Sequence, residues 1–147
     1  MEKLPEFLMN HWILSSSFMV IYCILLYDLI NDRLSGIQRL GALEAVKLMS
    51  HEDAVVVDVR EDHEFAKGYI ADALHIPLSK LQDSANSLLK DKSKRLLLYC
   101  ESGNRSLTGG GKLKKLGYKS LYSMQGGIIA WKNANLPIAK KTKKKKS

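Results

Sequence analysis

A run of 19 residues near the start of the chain, Trp12 to Ile30, divides this sequence before any fold can be assigned. Fifteen of these residues are hydrophobic, and as a helix the run would be about 28 Å long, close to the roughly 30 Å hydrocarbon core of a bilayer. Trp12 and Tyr27 stand near its two ends, where aromatic rings favour the lipid–water interface. The run lacks the basic start and the small-residue cleavage site of a signal peptide. It therefore predicts one transmembrane helix within an N-terminal segment, residues 1–34.

The charge of the chain is equally uneven. The net charge of +8 comes largely from six lysines within residues 140–146. A block of like charge cannot form a core, so residues 140–147 are predicted to be a disordered tail. Two roles stay open for this tail, a solvated end or a salt-sensitive contact with anionic lipid or the ribosome. No base-reading motif accompanies the lysines, which argues against sequence-specific nucleic-acid binding.

The basic residues that flank the apolar run indicate its orientation. Arg33 and Arg39 follow it closely, whereas Lys3 and the α-amine precede it. Because cytoplasmic flanks of membrane helices are enriched in arginine and lysine, the rest of the chain is predicted to lie in the cytoplasm.

The body of the chain, residues 35–139, alternates strand and helix patterns. Continuous apolar runs at residues 54–59 and 95–100 are typical of parallel strands buried on both faces. Shorter strand signals lie at residues 74–76 and 120–124, and helical patterns lie at residues 42–49, 61–67, 78–89 and 106–116. This alternation predicts an α/β domain whose ligands bind beyond the carboxyl ends of the strands. No dinucleotide-binding or Walker motif is present, so no cofactor is expected.

One of the two cysteines stands where chemistry is expected. Cys23 lies in the apolar run and Cys100 in the body, which leaves no disulfide framework or multi-cysteine metal site. Cys100 ends a predicted buried strand just before a predicted helix, where backbone N–H groups and the helix dipole stabilise a thiolate. We therefore predict Cys100 as a nucleophile within an active-site loop that continues through Glu101, Ser102, Gly103, Asn104 and Arg105.

Other motifs surround this loop in a fixed order. They are Asp58-Val-Arg60 with Glu64-Phe65, Gly68-Tyr-Ile70 before Ala73-Leu-His-Ile-Pro77, and Gly126-Gly-Ile-Ile-Ala-Trp131. With residues 100–106 they resemble the rhodanese-like sulfurtransferase domains, over about residues 41–137. Together with the apolar run, the whole chain resembles the membrane-anchored single-domain bacterial rhodaneses of the YibN type. This resemblance implies a three-layer α/β fold with a central parallel sheet, preceded by one transmembrane helix in the bacterial inner membrane.

The resemblance also implies a reaction. The Cys100 thiolate would take a sulfane sulfur from a donor, become a persulfide and pass the sulfur to a thiol or other thiophilic acceptor. Related phosphatases have five residues between cysteine and arginine, whereas four residues separate Cys100 from Arg105 here, which favours sulfur. The alternative is a non-catalytic, membrane-tethered rhodanese fold that binds or regulates a partner.

Some residues depart from the family pattern or support the loop. Members active on thiosulfate often have arginine after the cysteine, whereas Glu101 stands here, and a carboxylate at the mouth should repel a small dianion. Weak thiosulfate activity is therefore expected. Asp58 and Arg60 are expected to brace the loop by hydrogen bonding, and Glu64 to pair with a nearby arginine. The histidines are expected to be structural, and the glycine triplet at residues 109–111 has no explanation at this level.

Overall fold

The computed structural model describes residues 11–51 and 53–140, with no side-chain detail for residues 31–34. The predicted lysine tail, apart from Lys140, lies outside the described residues, as does Lys3. The described chain divides into two compact units between Gly36 and Ile37.

The first unit is one long helix, α1 (Trp12–Ser35). It ends at Gly36, whose φ of 65° is a left-handed conformation that glycine adopts without steric penalty. The stretch Trp12–Ile30 is long and apolar enough to cross a membrane. Its large apolar side chains are exposed in this structure. By length and composition, α1 is thus a candidate membrane span.

The second unit is an α/β domain built on a five-stranded parallel sheet with strand order β1-β5-β4-β2-β3. Its strands are β1 (Ile37–Leu40), β2 (Val55–Asp58), β3 (Leu74–His75), β4 (Arg95–Tyr99) and β5 (Ser120–Met124). Its helices are α2 (Ala42–His51), α3 (Asp62–Ala66), α4 (Leu81–Leu88), α5 (Asn104–Lys115) and α6 (Gly127–Asn133). The predicted fold class, helices around a central parallel sheet, is confirmed.

The central strand β4 is buried on both faces because its side chains alternate between two cores. Leu96 and Leu98 pack in one cluster with residues of α4 and α5. Leu97 and Tyr99 pack in the other cluster with residues of α2 and α6, including Trp131. Each fully buried leucine contributes about 1.5–3 kcal/mol of hydrophobic stabilisation. This double burial explains the continuous apolar run in the sequence and leaves the carboxyl end of β4 as a rigid platform.

The edge strand β1 was not predicted from the sequence. Its Ile37 is buried, whereas Gln38 and Arg39 are exposed, so four residues contain no continuous or alternating apolar pattern. β1 is held by parallel pairing with β5, which places Ile37 opposite Leu121. The pairing is long-range, which is why local periodicity did not reveal it.

The glycine triplet of α5 lets this helix lie close to its neighbours. A Cβ on Gly109 would lie 3.1 Å from Leu98 Cδ2, and a Cβ on Gly110 would lie 2.8 Å from Ile37 Cδ1. A Cβ on Gly111 would meet no atom within 4 Å. Close packing thus explains the first two glycines, and nothing in the structure explains the third.

Candidate active site

Cys100 directly follows β4 at the carboxyl end of the sheet and is 1% exposed. Its Sγ accepts a hydrogen bond of 3.0 Å from the backbone N–H of Gly103. Gly103 has a φ of 104°, and a Cβ there would lie 3.1 Å from the Gly126 nitrogen. The loop therefore bends back on the sulfur in a way that only glycine permits without strain.

Two buried serine hydroxyls, of Ser106 and Ser123, connect the Cys100 thiol to β5. The Cys100 thiol points to Ser106 Oγ at 3.9 Å, and Ser106 Oγ donates to the Gly103 carbonyl at 2.8 Å. Ser123 on β5 lies 2.7 Å from Ser106, oxygen to oxygen. Sequence patterns did not point to this pair, because Ser123 is one of two serines in the short strand signal at residues 120–124 and Ser106 begins a predicted helix. The hydroxyls tie the loop to the neighbouring strand.

The start of α6 holds the loop from its other side. The N–H groups of Ile128 and Ile129 donate to the carbonyls of Cys100 and Glu101 at 2.9 and 3.3 Å. A Cβ on Gly127, whose φ is 55°, would overlap both carbonyl oxygens. The Gly126-Gly127 pair thus fixes which way the two loop carbonyls point.

The charge of Arg105 is matched by Glu64 from α3. Two parallel bonds of 2.7 Å join the guanidinium to the carboxylate, as the sequence-based pairing of Glu64 with an arginine predicted. Glu64 also accepts from the Glu61 backbone N–H and so closes the α3 capping box. The hydrogen bonds from Arg105 lower the pKa of Glu64 to about 2, and Glu64 in turn raises the pKa of Arg105.

Asp58 and Arg60 form a buried ion pair next to the loop. Arg60 Nη2 lies 2.6 Å from Asp58 Oδ2 and donates to the Gly68 carbonyl at 2.8 Å. Arg60 Nη1 lies 3.4 Å from Glu101 Oε2. Burial lowers the pKa of Arg60, but the hydrogen bonds and charge of Asp58 outweigh it, so the pKa is raised. The pair thereby links β2 to the side chain of a loop residue.

The charged side chains around the cysteine loop carry no excess of positive charge. Three arginines, Arg39, Arg60 and Arg105, stand against three carboxylates, Asp58, Glu64 and Glu101. The sulfur therefore relies on backbone N–H and hydroxyl contacts more than on side-chain cations.

The remaining predicted loop residues are more exposed. Ser102 and Asn104 line a shallow hollow of about 220 Å³ together with Gly103, Ser123 and Gln125. Cys100, Ser102 and Gly103 lie in the loop itself, whereas Asn104 and Arg105 form the first turn of α5. Asp58 contacts Arg60, which in turn contacts Glu101.

The histidines contribute no base at the sulfur among the described residues. His75 Nε2 lies 2.8 Å from the Arg60 carbonyl oxygen, and its ring stacks on Phe65 at 4.2 Å. Tyr69 stacks against Phe65 as well, at 4.2 Å. His51 and His63 are exposed. The rings of His75 and Tyr69 thus pack on Phe65 beside β2 and β3.

Proteins with similar sequences include one with an assigned activity and two that are uncharacterized. The thiosulfate sulfurtransferase GlpE of Coxiella burnetii is 36% identical over 95 residues, which cover 65% of this chain and 87% of GlpE. The uncharacterized protein YibN of Escherichia coli K12 is 28% identical over 141 residues, covering 95% of this chain and 99% of YibN. The uncharacterized Synechocystis protein slr1261 is 39% identical over 100 residues, and the match covers 67% of this chain but only 55% of slr1261.

A solved structure and a family model agree with these relatives. The rhodanese-related protein of Thermoplasma volcanium superposes with a TM-score of 0.62 and 28% identity, covering 69% of this chain and 97% of that one. The model of the rhodanese-like domain matches residues 42–134, which include β2 to α6 and the whole cysteine loop. This chain belongs to the rhodanese-like domain family.

Proposed function

We propose that this protein is a sulfurtransferase or persulfide carrier that moves a sulfane sulfur through a Cys100 persulfide to a thiophilic acceptor. The observation that carries the proposal is the 3.0 Å hydrogen bond from the Gly103 N–H to Cys100 Sγ at the end of β4. A donor aimed at the sulfur stabilises negative charge on a thiolate and on a persulfide. The similarity to a thiosulfate sulfurtransferase supports the same chemistry.

The reaction has two displacement steps. The Cys100 thiolate attacks the outer sulfur of the donor, a new S–S bond forms, and the donor's own S–S bond breaks with its electron pair leaving on the donor. The leaving group would be sulfite when the donor is thiosulfate and a thiolate when the donor is a persulfide. An acceptor thiolate then attacks the terminal sulfur of the Cys100 persulfide and restores the Cys100 thiolate. No electrons are gained or lost overall, and neither step requires a side-chain base.

The charge around the loop supports a preference among donors. Glu101 lies at the loop, and Glu64 is paired with Arg105, so a dianion meets no unpaired cation among the side chains described there. Thiosulfate, with two negative charges, is therefore expected to be a weak donor compared with less highly charged persulfides.

The apolar helix supports a tethered form of the enzyme. We infer that α1 crosses the bacterial inner membrane once and leaves the body in the cytoplasm. Its length and composition suit a bilayer, and the similarity to YibN extends over nearly the whole of both chains.

Intact-mass spectrometry tests the proposed chemistry. The protein is incubated with polysulfide or with thiosulfate, and its mass is measured under non-reducing conditions. We expect the gain of one sulfur, its loss after addition of a thiol acceptor, no gain in Cys100→Ser, and normal gain in Cys23→Ser. Persistence of the adduct in Cys100→Ser would rule out Cys100 as the carrier.

The lack of a positive excess around the loop also favours a second candidate, a tethered binding or regulatory module without turnover. In that case a correctly folded protein would take up no sulfur from any donor. A folded protein that carries the adduct but never passes it to thiols would likewise argue against transfer.

A further inference from the structure

The end of the body opposite to Cys100 carries a cluster of exposed cations that the sulfur chemistry does not use. The cluster lies in two segments, one just before β4 and the other from the last turn of α5 to the start of β5. We call it the basic end, and its members are Lys90, Lys92, Lys94, Arg95, Lys114, Lys115 and Lys119, all exposed. Because β4 and β5 are parallel, both segments lie at the amino end of the sheet. Cys100 follows the other end of β4, roughly 16 Å away at about 3.3 Å per residue.

Contacts between the two segments make the basic end one surface. Lys92 Nζ donates to the Leu116 carbonyl at 2.7 Å and lies 5.6 Å from the centre of the Tyr118 ring. Lys94, Arg95 and Ser120 line the same shallow hollow, which also includes Ser93 and Asp53. Cations of both segments are thus presented side by side.

Few carboxylates offset this charge among the described residues. Asp53 lies 3.5 Å from Lys94, and Asp91 accepts a 2.9 Å hydrogen bond from the Ser93 backbone N–H. No ion pair with a described carboxylate engages Lys90, Lys115 or Lys119. Since the rest of the domain carries little net charge, these cations concentrate positive potential at one end.

The domain begins, directly after α1 in the chain, at the same end of the sheet as the basic end. β1 begins at Ile37, the residue that follows Gly36 at the end of the first unit. Ile37 pairs with Leu121 of β5, two residues after Lys119. The body is therefore joined to its candidate membrane span at the amino end of the sheet, where the basic end lies.

We propose that the basic end docks on anionic lipid headgroups where the chain enters the membrane, so that the Cys100 loop points away from the lipid surface. A lysine held near an anionic membrane strengthens binding by about fivefold, and the tether keeps the body at high local concentration there. Lipid is favoured over RNA because, among the residues that the structure describes, no exposed aromatic side chain accompanies these cations to stack on bases. The inference rests on the proposed tether and not on the proposed sulfur transfer.

Site-resolved lysine labelling tests the docking in the full chain. The protein is reconstituted in nanodiscs of phosphatidylcholine alone or mixed with phosphatidylglycerol, treated briefly with an amine-reactive ester, and mapped by peptide mass spectrometry. In the mixed discs at low salt we expect labelling of Lys90, Lys115 and Lys119 to slow by about threefold or more. Labelling of the exposed Lys67 and Lys80 on other parts of the body should not change. High salt should remove the difference, because it screens surface charge.

Two matched double variants provide the control for charge. Lys115→Gln/Lys119→Gln should restore fast labelling of Lys90 in the mixed discs, whereas Lys67→Gln/Lys80→Gln, which removes the same charge elsewhere, should leave Lys90 protected. Equal labelling of Lys90 in both kinds of disc would overturn the docking. Protection that appears in neutral discs only when ribosomal RNA is added would assign the surface to RNA instead.

The failures of the separate proposals can be told apart on the same samples. A chain that does not purify with the discs overturns the tether and the docking together. A disc-bound chain that takes up sulfur but shows no lipid-dependent protection overturns the docking alone. Protection without sulfur uptake keeps the docking and overturns the proposed chemistry.

Discussion

Glu64 determines how much positive charge Arg105 offers to the cysteine loop. The two 2.7 Å bonds occupy both terminal nitrogens of the guanidinium, so the cation at the end of the predicted loop is already paired. At the same time the ion pair fixes Arg105 at the first turn of α5, just beyond the loop. Arg105 is thus better described as a support for the loop than as a binding site for an anion.

This pair makes the stability of the protein depend on pH. The pKa of Glu64 falls from 4.5 to about 2 in the folded protein, so its contribution is complete above about pH 4.5 and is lost as the pH falls towards 2. We expect Glu64→Gln to lower the free energy of unfolding by about 2 kcal/mol at pH 7, after allowance for the partly solvated Arg105. Urea unfolding should show that difference shrink by pH 3.

A matched variant separates this effect from general acid sensitivity. Asp83→Asn removes an exposed carboxylate of α4 and is expected to leave the pH dependence of unfolding as in the unmodified protein. If the deficit of Glu64→Gln were the same at pH 7 and pH 3, the ion pair with Arg105 would not be its source.

Glu101 is the residue expected to select against anionic donors. It is 40% exposed, and its carboxylate lies 3.4 Å from Arg60. Arg60 is already paired with Asp58, so the Glu101 charge is not needed to neutralise it. We expect Glu101→Gln to speed persulfide formation from thiosulfate by about fivefold at low salt, and by less at high salt. Rapid-quench mass spectrometry of single-turnover loading measures this rate. An unchanged rate at low salt would show that charge at this position does not govern donor choice.

At the scale of elements, the adjacent glycines of α5 are expected to respond differently to substitution by alanine. Gly111→Ala adds a methyl group in open space and should stabilise the helix by about 0.5–1 kcal/mol. Gly110→Ala should show little or no such gain, because its Cβ would lie 2.8 Å from Ile37 Cδ1 and push on β1. Urea unfolding of the two variants makes the comparison direct. Equal stabilisation by both would mean that α5 does not need its close approach to β1.

The start of α6 is expected to control the shape of the cysteine loop. Gly127→Ala would drive a methyl group into the Cys100 and Glu101 carbonyls, and displacement of reacting groups by about 1 Å can cost 100-fold in rate. We therefore expect sulfur loading of Cys100 to slow by about tenfold or more. Far-UV circular dichroism checks that the variant retains its fold.

The neighbouring Ile129→Ala provides the control for this prediction. It removes a partly exposed side chain but keeps the backbone N–H that reaches the Glu101 carbonyl. Its loading rate should stay near that of the unmodified protein. Normal loading in Gly127→Ala would show that the loop tolerates movement of its carbonyls.

At the scale of the whole molecule, the apolar character of α1 is expected to determine whether the protein is held in the membrane. Ile21→Lys/Ile24→Lys places two charges in the middle of the candidate span, where each costs about 2.5–3.5 kcal/mol on insertion. We expect the full chain to stay with membranes through an alkaline carbonate wash and this variant to be released. Ile21→Leu/Ile24→Leu should behave like the unmodified chain, and retention of the lysine variant in the pellet would contradict a spanning role for α1.

Sequence patterns predicted most of the fold because their causes are local. β4 is apolar at each of its four interior positions since both of its faces are buried, and α5 begins beside a loop whose composition marks it as a turn. β1 escaped prediction because a four-residue edge strand with one buried side chain has no periodicity to detect. The position of Cys100 at a strand end followed from the same local patterns.

What the sequence alone determined is therefore the order of the strands and helices from α2 to β5, the apolar helix α1, the parallel α/β class and the cysteine loop with its four-residue spacing. The tertiary structure decided which charges meet. Glu64 finds Arg105, and Arg60 finds Glu101, each 41 positions away along the chain. Such partners are set by the order of strands in the sheet, and no local pattern of hydrophobic residues carries that information. The same strand order brings the entry point at Ile37 to the end of the sheet that carries the exposed lysines.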